Sequence, residues 1–139
     1  MTFENSNYSK LLEYKKMEFP FGKFYITKNF IVSEINEGIH VDHEIAGEII
    51  SQFSEEMKSE HKFGYISNRI NSYSFDPQLW TEFNKEYDFL VASAIVSYSD
   101  FSYLNSSMEK HFFKKSLKRC QSLEEAIDWI SNLDEFNQN

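Results

Sequence analysis

Cysteine occurs once, at Cys120, so no intramolecular disulfide can staple the chain. That usage fits a reducing compartment, and the expected location is the cytoplasm. The four glycines stand singly, so no glycine-rich loop can cradle a phosphate. No serine lies in a G-x-S-x-G elbow, and Cys120 has neither flanking glycines nor a neighbouring histidine, which leaves nucleophilic catalysis without a recognisable centre. The longest apolar stretch, "FLVASAIVSY" at 89–98, falls far short of the roughly 20 residues that a transmembrane helix requires. The opening "MTFENSNYSKLLEYKK" lacks the apolar core and cleavage site of a signal peptide. Basic residues are also scarce. Fourteen Lys and Arg stand against 22 Asp and Glu, for a formal net charge of −8. Such a surface repels phosphate backbones, so nucleic acid is excluded as an expected partner. The one dense basic run, "KHFFKKSLKR" at 110–119, reads as a solvated helix face leading into a strand.

What is present is enough apolar material for a core: 41% of the 139 residues are hydrophobic and 17% aromatic. The length suits one domain. Residues 1–13 are polar and read as a flexible N-terminal segment, with a single domain over 14–139. "YKKMEFPFGKFYITKN" reads as an edge strand, bulged or bent at Pro20 and Gly22. "FIVSEIN" follows as a second strand. In "VDHEIAGEIISQFSEEMKSE" the residues Ile45, Ile49, Phe53 and Met57 recur every four positions, one apolar stripe of a helix that Asp42 can cap. "KFGYISN" is a short strand, and Asp76-Pro77 marks a helix start, with Leu79, Trp80, Phe83 and Tyr87 on its buried side. "FLVASAIVSY" reads as a covered interior strand. "SYLNSSMEKHFFKK" is a third helix, with Leu104, Met108 and Phe112 in register, and "SLKRCQ" a last strand. "SLEEAIDWISNL" closes the chain as a helix with Ser122 and Glu125 forming a capping box and Leu123, Ala126, Ile127 and Ile130 facing inward.

After the first hairpin, strands and helices alternate, which predicts a mostly parallel sheet with right-handed crossovers. Crossovers of one hand place their helices on one sheet face. The other face must then be solvated, covered by the N-terminal segment, or used for docking. Alternation assigns the faces only in pairs, Ile31, Ser33 and Ile35 against Phe30, Val32 and Glu34, and Val91, Ser93, Ile95 and Ser97 against Leu90, Ala92, Ala94 and Val96, and one face of each strand is half polar.

The stretches "FIVSEINEGIHVD", "GYISNRINSYSFDP" and "SLEEAIDWI", in that order, carry a resemblance to the STAS superfamily, and within it to the SpoIIAA-like branch. It covers about residues 14–133. The resemblance implies an α/β fold, a β-α superhelix with a mixed, mostly parallel five-stranded sheet, an antiparallel N-terminal edge strand and four helices. It also implies a non-enzymatic regulatory or interaction module without a cofactor, similar to anti-sigma factor antagonists and to the CRAL-TRIO lipid-transfer fold. Its expected partner is another protein or a second copy in a weak homodimer; the alternative is a small ligand or lipid in a pocket near the strand carboxyl ends. The candidate ligand or partner loop is Asn68, Arg69, Asn71, Ser72, Tyr73 and Ser74. The resemblance makes Ser72 and Ser74 the phosphosite candidates, although "SFDP" stands where the family has an Asp-Ser-Ser-Gly turn, and Asp76 would repel a phosphate. No metal is expected: His40 and His43 straddle a helix start, and Asp42 between them suits capping better than ligation.

Overall fold

The computed structural model describes residues 1–56, 62–79, 81, 90–99 and 116–133. A short helix α1 (Tyr8–Leu11) precedes strands β1 (Lys15–Phe19), β2 (Gly22–Ile26), β3 (Phe30–Ile35) and β4 (His40–Val41). Helix α2 (His43–Glu56) then leads to β5 (Phe63–Arg69), β6 (Ser74–Phe75), β7 (Leu90–Ser97), β8 (Ser116–Cys120) and helix α3 (Leu123–Ser131). The helices expected over 77–88 and 102–115 lie outside the described residues, apart from the turn that opens the first of them.

The main sheet has six strands in the order β1-β2-β3-β5-β7-β8, antiparallel from β1 to β3 and parallel from there on. The interior placement of β7 and the antiparallel N-terminal edge agree with the sequence. The strand count does not, because the stretch read as one bent strand is a hairpin. Phe19 pairs with Gly22, which leaves only Pro20 and Phe21 in the turn. Proline fixes the turn without needing a donor, and Gly22 is required by crowding rather than by a bulge. A Cβ there would sit 2.7 Å from the Glu34 carbonyl oxygen on β3.

Both capping readings hold. Asp42 Oδ1 accepts from the Ile45 amide at 3.0 Å, which holds its carboxyl below the ordinary range. Ser122 Oγ accepts from the Glu125 amide at 3.0 Å, and Glu125 Oε1 in return accepts from the Gln121 amide. Ala46 and Phe53 of α2 are buried on one sheet face, where the Phe53 ring meets Phe24 edge-on at 5.2 Å. The inward residues expected for α3, Leu123, Ala126, Ile127 and Ile130, are all buried against Val32, Ile66, Ala94 and Val96 on the other face.

That second face carries the main correction. Residues 1–13, expected to be a flexible segment, are docked on it together with α3. Phe3 is fully buried, packed on Tyr25 and edge-on to Tyr14. Its amide donates to Glu34 Oε2 at 2.7 Å. Asn68 Nδ2 donates to the same oxygen and to the Met1 carbonyl, and the Tyr98 hydroxyl donates to Asn68 Oδ1 at 2.6 Å. Burial, helped by the Glu34 charge, pushes the Tyr98 hydroxyl up to about 12. Glu4 accepts from the Tyr25 hydroxyl and from Lys16 Nζ, and its carboxyl is lowered by those two bonds. A polar segment can dock in this way because it brings one large ring to an apolar hollow and pairs its backbone with buried side chains. With residues 1–13 and α3 on this face and α2 on the other, cover by the N-terminal segment is the one of the three alternatives that is present. Among the described residues no helix is long and apolar enough to cross a membrane.

Candidate functional site

The loop from 68 to 74 is not one surface. Strand β5 runs through Arg69, so alternation sends Asn68 and Arg69 to opposite faces. Asn68 is fully buried and belongs to the network that holds the N-terminal segment. Arg69 is also buried, on the face of α2; its Nε donates to Ser67 Oγ at 3.1 Å and its guanidinium lies 5.3 Å from the centre of the Tyr73 ring. The Tyr73 hydroxyl and Ser67 Oγ are 2.6 Å apart. Arg69 and Tyr73 are therefore brought together, and Asn68 is separated from them.

The remaining loop residues fasten the loop to its neighbour. Asn71 Nδ2 donates to the Ile35 carbonyl at 3.1 Å. The exposed Ser72 receives the Gly38 amide on its carbonyl at 2.8 Å; Gly38 turns with φ +80, a conformation that glycine adopts freely. Strands β4 and β6 pair in parallel, His40 opposite Ser74, and His40 Nδ1 lies 2.6 Å from Ser74 Oγ. Asp76 Oδ1 accepts from the Gln78 amide, as its cap reading requires. Ser74 is thus engaged by an imidazole, and a capping carboxylate follows two residues on. We expect no stoichiometric phosphate on Ser72 or Ser74 in protein taken from its native host, because Asp76 repels a second anion while it holds the helix start. Phosphopeptide mapping checks this, and a major phosphopeptide at either serine would restore the switch.

Beside Arg69 and Tyr73 lies a feature that the loop reading missed. Register places Ser33 of β3 opposite Ser67 of β5, Tyr65 opposite Ser93 of β7, and Arg69 opposite Ser97. All these side chains share the α2 face, with Ile31, Ile35 and Ile95 as apolar neighbours on the same strands. Ser33 and Ser93 are fully buried and Ser97 nearly so. None of their three hydroxyls has a hydrogen-bond partner among the described residues. The signal was present in each strand as a half-polar side. Only the parallel register shows that the polar sides coincide.

The geometry is that of a polar band running along the α2 face of β3, β5 and β7 and reaching the carboxyl ends at Arg69 and Ser97, where open parallel sheets hold their ligands. It offers hydroxyls that both donate and accept, and a planar guanidinium. Among the described residues no cluster of three or more His, Cys, Asp or Glu side chains is placed to hold a metal ion. His40 and Asp42 make the Ser74 and Ile45 contacts already described. Cys120 is buried on the opposite face, where burial first, then Glu125, pushes its thiol up to about 12.

No family model matches the sequence, and no curated protein matches it. Among solved structures, the chain is similar to an uncharacterised protein of the DUF3478 family with a SpoIIAA-like fold from Shewanella loihica PV-4. The two are 10% identical, with a TM-score of 0.55 over 86% of this chain and 93% of the other. The fold is therefore SpoIIAA-like, as the order of strands and helices in the sequence implied.

Proposed function

We propose that this chain is a non-enzymatic binding module that holds a small ligand by a polar group on the α2 face of β3, β5 and β7, from mid-strand to the carboxyl ends at Arg69 and Ser97. One observation carries the reading: Ser33, Ser93 and Ser97 are buried, with hydroxyls unpaired among the described residues, on the face that also holds Ser67, Arg69 and Tyr73. A buried hydroxyl left unpaired costs about 1–3 kcal/mol. Alanine would remove that cost at nearly the same volume, and Ala92 and Ala94 show that alanine fits the alternate positions of this strand. Three such serines on one face gain a purpose if a ligand, with or without ordered water, accepts from them. The apolar neighbours Tyr65, Phe75 and Ile95 suit a ligand with a hydrocarbon part as well as a polar one. A protein partner is the less favoured reading, since the sheet face it would have used is occupied by residues 1–13 and α3. A cytoplasmic location goes with either reading and rests on cysteine usage.

Native mass spectrometry of the protein purified from cells tests this. The wild type is expected to carry a bound small molecule that a folded Ser93→Ala/Ser97→Ala variant has lost. Without ligand, that variant should be the more stable protein, by about 1–2 kcal/mol in denaturant unfolding. A wild type with no bound mass, whose melting temperature does not change on extraction with organic solvent, would sink the proposal.

A further inference from the structure

On the opposite face, a cleft of about 420 Å³ opens between the N-terminal segment and the strand ends. Thr2, Glu4 and Asn5 form one wall. Lys23 and Tyr25 of β2, Glu34 and Asn36 at the end of β3, and Ile70 and Asn71 after β5 form the floor and far side. It shares no residue with the serine band.

The hydrogen-bonding capacity of this lining is uneven. Asn36 Nδ2 donates to the Pro20 carbonyl at 3.1 Å, and Asn71 Nδ2 donates to the Ile35 carbonyl at 3.1 Å. Each amide thus commits one N–H to the backbone, and its carbonyl oxygen and second N–H have no partner among the described residues. Glu34 is 5% exposed, and one of its carboxylate oxygens, Oε2, takes both the Phe3 amide and the Asn68 side chain. The second oxygen has no partner among the described residues. Glu4 is bonded to Tyr25 and to Lys16, which it shares with Glu18. Lys23 is exposed and makes no ion pair among the described residues, although it stands directly across from Glu34 in the β2–β3 register.

The cleft lining therefore presents three acceptor groups, one of them a buried carboxylate, together with the ammonium of Lys23. An acceptor-rich, negative end suits a ligand ammonium, which has three donors and no acceptor. A lone lysine suits a carboxylate. We infer that this cleft is a binding site for a small zwitterion, an α-amino acid with free amino and carboxyl groups. Glu34, Asn36 and Asn71 receive its ammonium, and Lys23 receives its carboxylate.

The test is calorimetric titration of the full chain with three probes: L-glutamine, N-acetyl-L-glutamine and L-glutamine amide. L-Glutamine is expected to bind, and each blocked analogue to bind about tenfold more weakly, the loss of one charge-assisted contact. Lys23→Met and Asn71→Leu alter exposed or half-buried positions and should fold. Lys23→Met should weaken L-glutamine by about tenfold and leave the amide unchanged, and Asn71→Leu should weaken both. No heat with any probe at millimolar concentration would overturn the inference. So would equal binding of acid and amide, which would reassign the cleft to peptide amino termini, or a Lys23→Met variant that binds L-glutamine as the wild type does.

Discussion

Val96→Asp is expected to leave the domain unfolded. Val96 is fully buried in β7, between β5 and β8, opposite Asn68 on one side and Cys120 on the other. Its side chain lies in the core formed by Phe3, Ile66, Ala126 and Ile130. No cation belongs to that cluster among the described residues, so a carboxylate there is desolvated and unpaired. Its cost is on the order of 3–5 kcal/mol, a large share of the 5–15 kcal/mol that holds a typical domain together. Far-ultraviolet circular dichroism and urea unfolding read the outcome. A cooperative transition at the wild-type midpoint would mean that β7 is not an interior strand.

Gly64→Ala should destabilise by about 1–3 kcal/mol, an unusual size for adding one methyl group. A Cβ at Gly64 would stand 2.7 Å from Ile130 Cγ2 and 3.0 Å from its Cδ1. Ile130 is fully buried and branched at Cβ, so its side chain has little rotamer freedom to yield, and α3 must shift as a body. Ile130→Ala alone should cost about 2–5 kcal/mol through the cavity it leaves. The pair should cost less than the sum, because the new methyl group fills part of the space that Ile130 vacates. A double-mutant cycle measures that coupling, and strict additivity would show that β5 and α3 do not meet at this point.

The sequence made the helix caps readable because each needs only a few neighbouring residues. Asp42 and the Ser122–Glu125 pair are complete signals within four positions, and the structure uses them as such. The parallel order was readable because alternating strand and helix patterns leave few topologies. Local signals failed where one residue type serves two geometries. Pro20 and Gly22 mark a bent strand and a tight hairpin alike, and the choice depended on how closely β3 approaches Gly22. Phe3 could not be found by periodicity, since a lone ring in a polar stretch has no period. The candidate loop was grouped by nearness in sequence, whereas a strand divides neighbours between faces. Had β5 been carried through Arg69, the separation of Asn68 from Arg69 would have followed from alternation alone. The serine band needed three strands in register, a relation between residues some thirty positions apart that no window of sequence contains.

The docked N-terminal segment has a consequence for how the chain is made. Phe3 is made well before its partners. Glu34 lies 31 positions on, and Met1 is held by Asn68 and Tyr98, 67 and 97 positions away. At about 5–20 residues per second, the opening stretch waits several seconds in solution with its ring unburied before β7 exists to receive it. The two bonds to Met1 close the longest loops among the described side-chain bonds, so the chain gives up that freedom for hydrogen bonds that form late. Residues 1–3 are therefore made long before the groups that hold them, and until Phe3 docks, the hollow it fills stands open to any other aromatic side chain a nascent chain meets.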